Sequence, residues 1–296
     1  MPRTTTPLHA LVPTLALIVG SLGAAEFAPV PAGTAPRPAP RPAPVMPEEA
    51  TAVTSTGTTL VVVGDSQADA QNLPGTATVL DREVLDLNRY QNVQSSLRLV
   101  PGVSAVDEDG YGMRMNVGLR GAKAIRTGKT LILEDGIPLA PNPYNDPSLY
   151  MGPAYSRFDA VEVVKGSGQI LYGPHTVSGL VNFKSRTPDF DGGGKVDASV
   201  SNFDGYSNHH KNGYRGLVAV DVPLGEDAVL STDLYAVDAD GFRRFDHVTQ
   251  SELAPRILWK LDQSHDLELR LSHTAEQSNL TYQGLSRSDY EADPYN

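Results

Sequence analysis

The chain has 296 residues, 40% of them hydrophobic, with 27 glycines and 23 prolines, enough for one or two domains with a sizeable core and many turns. Its net charge of -11 argues against nucleic acid and an anionic bilayer surface as principal partners, because both reward basic stripes. Zero cysteines exclude thiol catalysis, thiolate metal sites and disulfide staples.

Behind Arg3, an apolar stretch over residues 8–22 runs into Gly23, Ala24 and Ala25, the layout of a cleavable secretory signal occupying 1–25. Pro13 and Gly20 interrupt the stretch, and it falls short of the ~20 residues that a spanning helix needs. Residues 26–57 are rich in Pro and Ala, with PRPAPRPAP at 36–44. They read as an extended periplasmic linker or, alternatively, as a docking ligand for an aromatic groove. Thr59, Leu60, Val61, Val62 and Val63 then form a β-prone run inside segment 58–64. Such a run is either the first strand of the following domain or an exposed segment whose unpaired backbone another protein's sheet edge can adopt.

Residues 65–190 read as one mixed domain. Ala77, Val79 and Leu80 suggest a strand; Asp81 caps a short helix through Leu87, and a second helix fits 93–99 before Pro101-Gly102. A strand resumes at 103–106, and Leu131, Ile132 and Leu133 form another that ends in the turn Asp135-Gly136. Val161, Val163 and Val164 lead into a glycine-rich loop, and Leu180, Val181 and Phe183 resume as its partner strand. Three decoys fall on inspection. Residues 107–110 lack the glutamate that closes a calcium loop, Gly128-Lys129-Thr130 lacks the upstream glycine of a phosphate loop, and Gly166-Ser167-Gly168 lacks the nucleophile-elbow spacing. No catalytic constellation, cofactor site or metal site emerges, so no enzyme is expected, and His209-His210 reads as solvated.

Beyond residue 191 the texture changes to alternation. Segments 195–203, 215–222, 229–237, 253–261 and 267–273 each show near period-two apolar spacing, with Leu267, Leu269 and Leu271 on one face against Glu268, Arg270 and Ser272 on the other. A transmembrane barrel strand and a soluble antiparallel sheet would both show this.

The ordered motifs LRLVPGV (97–103), VGLRG (117–121), LEDGIPLA (133–140), the run from Val161 to Gly168, LYG (171–173) and GLVNF (179–183) together resemble the plug domain of TonB-dependent outer-membrane receptors. NVGLRG followed by DGIPLA and a Pro-Tyr loop is most similar to the ferric-citrate branch of that family. The resemblance implies an α+β plug domain followed by the N-terminal strands of a transmembrane antiparallel β-barrel over 191–296. It further implies the outer membrane of a Gram-negative bacterium, with its lipid, as the setting. It makes Thr59, Leu60, Val61, Val62 and Val63 a TonB box for the inner-membrane energy-transducing complex, and a ferric chelate the transported ligand, whether ferric citrate or another siderophore. About five strands fit into the residues after 191, where the family's barrel has about 22, so the expectation is an N-terminal fragment or a truncated product. The interval ahead of the box is too short for a signalling domain, so transport without transcriptional signalling is expected. The alternative from another class is a secreted or surface β-rich binding or adhesion protein without transport.

Within an acidic chain, the basic density from Arg114 to Lys129 is conspicuous. Lys123 and Arg126, together with Asn142, Tyr144, Asn145 and Asp146 of the Pro-Tyr loop, are the candidate ligand-binding residues, since such a cluster concentrates an anion. Asp146 opposes that charge. Arg120 and Lys165 are expected to pair with carboxylates on the barrel wall.

Overall fold

The computed structural model describes residues 75–90, 92–107, 111, 113–139, 152–166, 172, 176–204, 210–241, 244–279 and 285–295. The expected signal (1–25), linker (26–57), TonB-box segment (Thr59 to Val63) and the loop bearing Asn142, Tyr144, Asn145 and Asp146 lie outside these residues.

Strand β1 (Thr76–Leu80) leads into helix α1 (Arg82–Asn88), whose cap is the expected one: the Asp81 carboxylate accepts from the Val84 N–H at 3.0 Å. Helix α2 (Val93–Leu97) is capped by Asn92, which the sequence reading overlooked, and it stops two residues early because Leu99 and Val100 turn back onto the carbonyls of Ser96 and Leu97. Short strands β2 (Val103–Ala105) and β3 (Val117–Leu119) pair with each other. They are followed by β4 (Thr130–Glu134), β5 (Ile137–Pro138), β6 (Phe158–Lys165) and β7 (Gly179–Ser185). The sheet order is β1-β6-β7-β4-β5, with β4 parallel to β7 and every other pair antiparallel. One face of this sheet buries Val161, Val163, Val181 and Phe183 against Leu85 and Leu97 of the helices, with the Phe158 and Phe183 rings stacked 5.1 Å apart. The other face carries a smaller cluster around Leu131, Leu133, Val164 and Leu180.

The second half is a meander of β8 (Gly193–Asp204), β9 (His210–Pro223), β10 (Ala228–Asp240), β11 (His247–Lys260), β12 (Asp266–Arg270) and β13 (His273–Asn279), followed by a short helix α3 (Arg287–Ala292) where the sequence suggested only loop. Both β12 and β13 pair with β11 in a single register. Their interruption has a local cause: Leu271 donates to the Pro255 carbonyl, and Pro255 has no N–H to return the bond. The five alternating segments of the sequence are therefore five strand paths. From β8 to β11 they run 12 to 14 residues, longer than the ~9–11 that a tilted strand needs to cross a bilayer.

Burial in this sheet is inverted relative to a soluble protein. Val196 is 75% exposed and Leu271 63%, and Val200, Val222, Ile257, Trp259, Leu267 and Leu269 are exposed with them, whereas Asp221, Asp233, Gln250, Glu252 and Arg256 are buried on the opposite face. Water does not favour that arrangement, but hydrocarbon outside and a polar filling inside do. Among the described residues the sheet is open, with β8 on one edge and β12 and β13 on the other. The first domain packs against its polar face.

Candidate functional site

At the end of the plug sheet that carries Glu134 the junction between the two sheets is built from charges, while elsewhere along it Tyr111, Met113 and Ala154 pack against Leu217, Tyr235, Val237 and Val248. Asp135 and Gly136 take left-handed φ values of 47° and 80°, the mirror turn that joins β4 to β5, and this sets Glu134 and Asp135 side by side at one end of the sheet. Arg157, immediately before β6, and Arg186, immediately after β7, reach the same end, because Phe158 lies opposite Ser185 and Glu134 opposite Phe183. From the meander, one register row runs Asp221, Ser231, Arg256, Arg270 across four neighbouring strands, all on the inner face.

These groups interlock. Arg157 holds Glu134 with a two-pronged pair of hydrogen bonds, both 2.6 Å, and its Nε stands 2.7 Å from the Glu252 carboxylate, a close ion contact without hydrogen-bond alignment. Arg186 pairs with Asp221 and reaches Ser231 at 2.9 Å and Asp233 at 3.3 Å. Arg270 pairs with Asp135, with Glu134 at 3.4 Å and Glu268 at 2.7 Å, and Arg256 donates to the Arg186 carbonyl. Burial works against the charge on Arg157, yet Glu252 and Glu134 outweigh it and raise its pKa above the ordinary arginine value. Arg186 is likewise raised, with Asp221 and Asp233 overcoming burial. Further along the seam the contacts are milder. Gln250 donates to the Gly152 carbonyl at 3.1 Å, Arg215 to that of Tyr90 at 3.1 Å, and the Tyr111 and Ser201 hydroxyls meet at 3.0 Å. Gly213 of β9 makes that last contact possible, since a Cβ there would strike both hydroxyl oxygens.

Arg120 and Lys165 are placed elsewhere. Arg120 donates to the Lys165 carbonyl at 3.3 Å, and the Lys165 ammonium donates to the Pro101 carbonyl at 2.7 Å, both bonds inside the first domain. Burial, with Arg120 nearby, lowers the pKa of Lys165. Among the described residues the plug's charge contacts with the wall come instead from Arg157, Arg186, Glu134 and Asp135, with Asp86 at 3.9 Å from Lys195.

Lys123 and Arg126 occupy a turn at the other end of the sheet. The chain leaves β3 through Arg120 and Gly121 with φ of 53° and 79°, makes a 3-10 turn over Ile125–Thr127, and enters β4 at Thr130. The Asn116 side-chain carbonyl holds the Arg126 N–H at 2.6 Å, while Lys123 projects into solvent. Four residue steps along β4 lead from Thr130 to Glu134, so this basic turn stands about 13 Å along the strand from the ion cluster. Strand β5 runs antiparallel to β4, with the Leu139 N–H on the Ile132 carbonyl, so the chain entering the Pro-Tyr loop is headed towards the basic turn. Asp107, from the calcium decoy, is engaged by Gln94 at 2.5 Å and Arg98 at 2.6 Å.

Residues 69–180 match the TonB-dependent Receptor Plug Domain family. The chain carries a TonB-dependent receptor plug domain. A crystal structure of the unliganded ferric citrate transporter FecA superposes with a TM-score of 0.71 at 25% identity, over 82% of this chain and 37% of that one. The iron-regulated outer membrane virulence protein of Vibrio cholerae serotype O1 is 31% identical over 154 residues, 50% of this chain and 23% of that protein. The ferrioxamine B receptor of Salmonella typhimurium is 25% identical over 248 residues, 78% of this chain and 33% of its own length. The chain thus spans about a quarter to a third of the curated relatives it matches. The plug is the α+β unit around β1 to β7, and the meander that holds it superposes on the ferric citrate transporter together with the plug, with the inverted burial that a lipid-facing barrel wall requires.

Proposed function

We propose that the protein takes part in energised uptake of an anionic ferric chelate, captured at the plug end that bears Lys123 and Arg126. The observation that carries this reading is the separation of charge along the plug. At one end the arginines are paired with wall and hairpin carboxylates, and at the other the basic turn stands clear of that cluster, on the side towards which β5 runs. Ferric citrate is one chelate of this class, and likeness to a ferric citrate transporter supports it. A siderophore receptor of another specificity is the coarser form of the same function. The adhesion reading is not favoured, because adhesion calls for no plug inside a barrel wall.

In this reading a periplasmic TonB-type partner adds residues 59–63 to its own sheet. Those residues precede β1, which lies at the edge of the plug sheet and pairs with β6. Tension is therefore delivered first to β1 and, through the Asp81 cap, to α1. Binding of ligand can promote that step only if the ligand has different affinities for the two plug states.

The test is Lys123→Glu with Arg126→Glu in the intact receptor. Affinity for ferric citrate should fall far more than affinity for a neutral ferric chelate, and the gap should widen at low salt, where screening is weaker. Equal losses for both chelates, or none, would remove the anionic ligand and leave the plug assignment standing.

A further inference from the structure

Between α1 and the first wall strand lies a cavity of about 530 Å³, a volume within the range of small-molecule sites. Its plug side is Arg82, Asp86 and Arg89 of the α1 segment with Tyr155 and Ser156, and its wall side is the inner face of β8 from Lys195 to Ser201 with Arg215 of β9. The Asp86 carboxylate pairs with Arg82 and lies 3.9 Å from the Lys195 ammonium. The Arg82 hydrogen bond first, then the charges of Arg82, Lys195 and Arg89, outweigh desolvation and hold Asp86 below the usual carboxylate range. Arg82, Arg89 and Lys195 therefore gather around the exposed Asp86, and Asp197 is the second carboxylate of the lining, set against the four cations Arg82, Arg89, Lys195 and Arg215. Ser156 lies on the plug side of the cavity, where its carbonyl accepts from Arg82 at 3.2 Å and helps fix that guanidinium in place.

We infer that this cavity is an internal binding site for a carboxylate-bearing ligand, in which Asp86 occupies the place that a ligand carboxylate takes when it enters. The exchange is one anion for another among fixed cations, so no buried charge is left unpaired at either stage, and Asp86 has solvent to move into. The site also has a release mechanism. Arg82 and Asp86 both ride on α1, which follows the edge strand β1, so drawing β1 away dismantles the plug side of the site while Lys195 and Arg215 stay on the wall. The inference rests on the uptake function proposed above, and makes the cavity a transit station between capture at the basic turn and release.

Thiol protection in the intact receptor tests it. This chain has no cysteine of its own, so Ser199→Cys places a single thiol in the cavity lining. Citrate, and separately ferric citrate, should slow its reaction with a small methanethiosulfonate reagent in a saturable way. Arg89→Gln or Lys195→Gln should raise the half-protecting concentration about tenfold, the scale of one charge-assisted hydrogen bond. Asp86→Asn should lower it, because the resident competitor is gone. A merely structural Asp86 would not give that gain. No protection at any citrate concentration, or protection indifferent to all three substitutions, overturns the site. So does protection abolished by Lys123→Glu with Arg126→Glu, which would report the capture end instead. If capture proves indifferent to ligand charge while the thiol is still protected, the proposed function fails and the cavity site stands.

Discussion

Arg157→Gln is the sharpest probe of the seam. The substitution removes two hydrogen bonds of 2.6 Å to Glu134 and the 2.7 Å ion contact to Glu252, and it does so where Arg157 is 5% and Glu252 3% exposed. Removing one partner of a buried ion pair costs about 3–5 kcal/mol, chiefly because the other charge stays buried and unpaired. Here the partners are not wholly abandoned: Glu134 keeps Arg270 at 3.4 Å and Glu252 keeps the Ala154 N–H at 3.4 Å. The expected loss is therefore near the lower bound, about 3 kcal/mol, or roughly a hundredfold in the opening equilibrium of the plug edge. Amide hydrogen exchange over 130–134 and 158–165 in the intact receptor reads that opening directly. The double variant Arg157→Gln, Glu252→Gln removes the orphaned carboxylate and should recover about tenfold of the loss. Exchange within threefold of wild type in the single variant, or a double variant that opens as readily as the single, refutes the view that this pair fastens plug to wall.

Asp81→Ala removes the α1 cap and should cost about 1 kcal/mol, seen as about fivefold faster exchange at Val84 and Leu85 with the wall strands unaffected; equal change everywhere would mean global destabilisation instead. Val62→Pro should leave chelate binding intact and stop uptake, because proline lacks the N–H that strand addition needs; wild-type uptake would reduce residues 59–63 to a linker. Gly213→Val should drive Tyr111 away from Ser201, measurable as increased proteolysis of the plug segment around Tyr111 at unchanged expression, and unaltered cleavage would show that the close approach is dispensable. Lys165 has a folded pKa below its ordinary value, so between the folded and unfolded pKa the unfolded chain binds the extra proton and stability rises with pH towards about 10.5. Lys165→Met should flatten that rise in alkaline urea titrations, and an unchanged slope would place its origin elsewhere.

What could be read from the sequence was what neighbouring residues decide. Asp81 before a helical run, the Asp135-Gly136 turn and the alternation of Leu267, Leu269 and Leu271 each act over a few positions, and the structure places them as read. The motif order from residue 97 to 183 announced the plug because it is a pattern of local turns and strand ends. The seam is different in kind. Arg157 meets Glu252 across 95 positions and Arg270 meets Asp135 across 135, and which arginine finds which carboxylate depends on two sheets being brought face to face. The resemblance sets Arg120 and Lys165 against carboxylates of the barrel wall, whereas among the described residues each donates to a plug carbonyl that only the folded sheet brings near. A usable signal for the seam did exist in the strands: on the polar face of a barrel wall, neutral Ser, Thr and Asn suffice against water, so the charged run Asp221, Asp233, Glu252, Arg256, Glu268 and Arg270 on one side of successive strands demands opposite charge from whatever fills the barrel. In the plug, charges flanking buried strands are the ones able to answer without entering the core, and Glu134, Arg157 and Arg186 each stand at such a strand end.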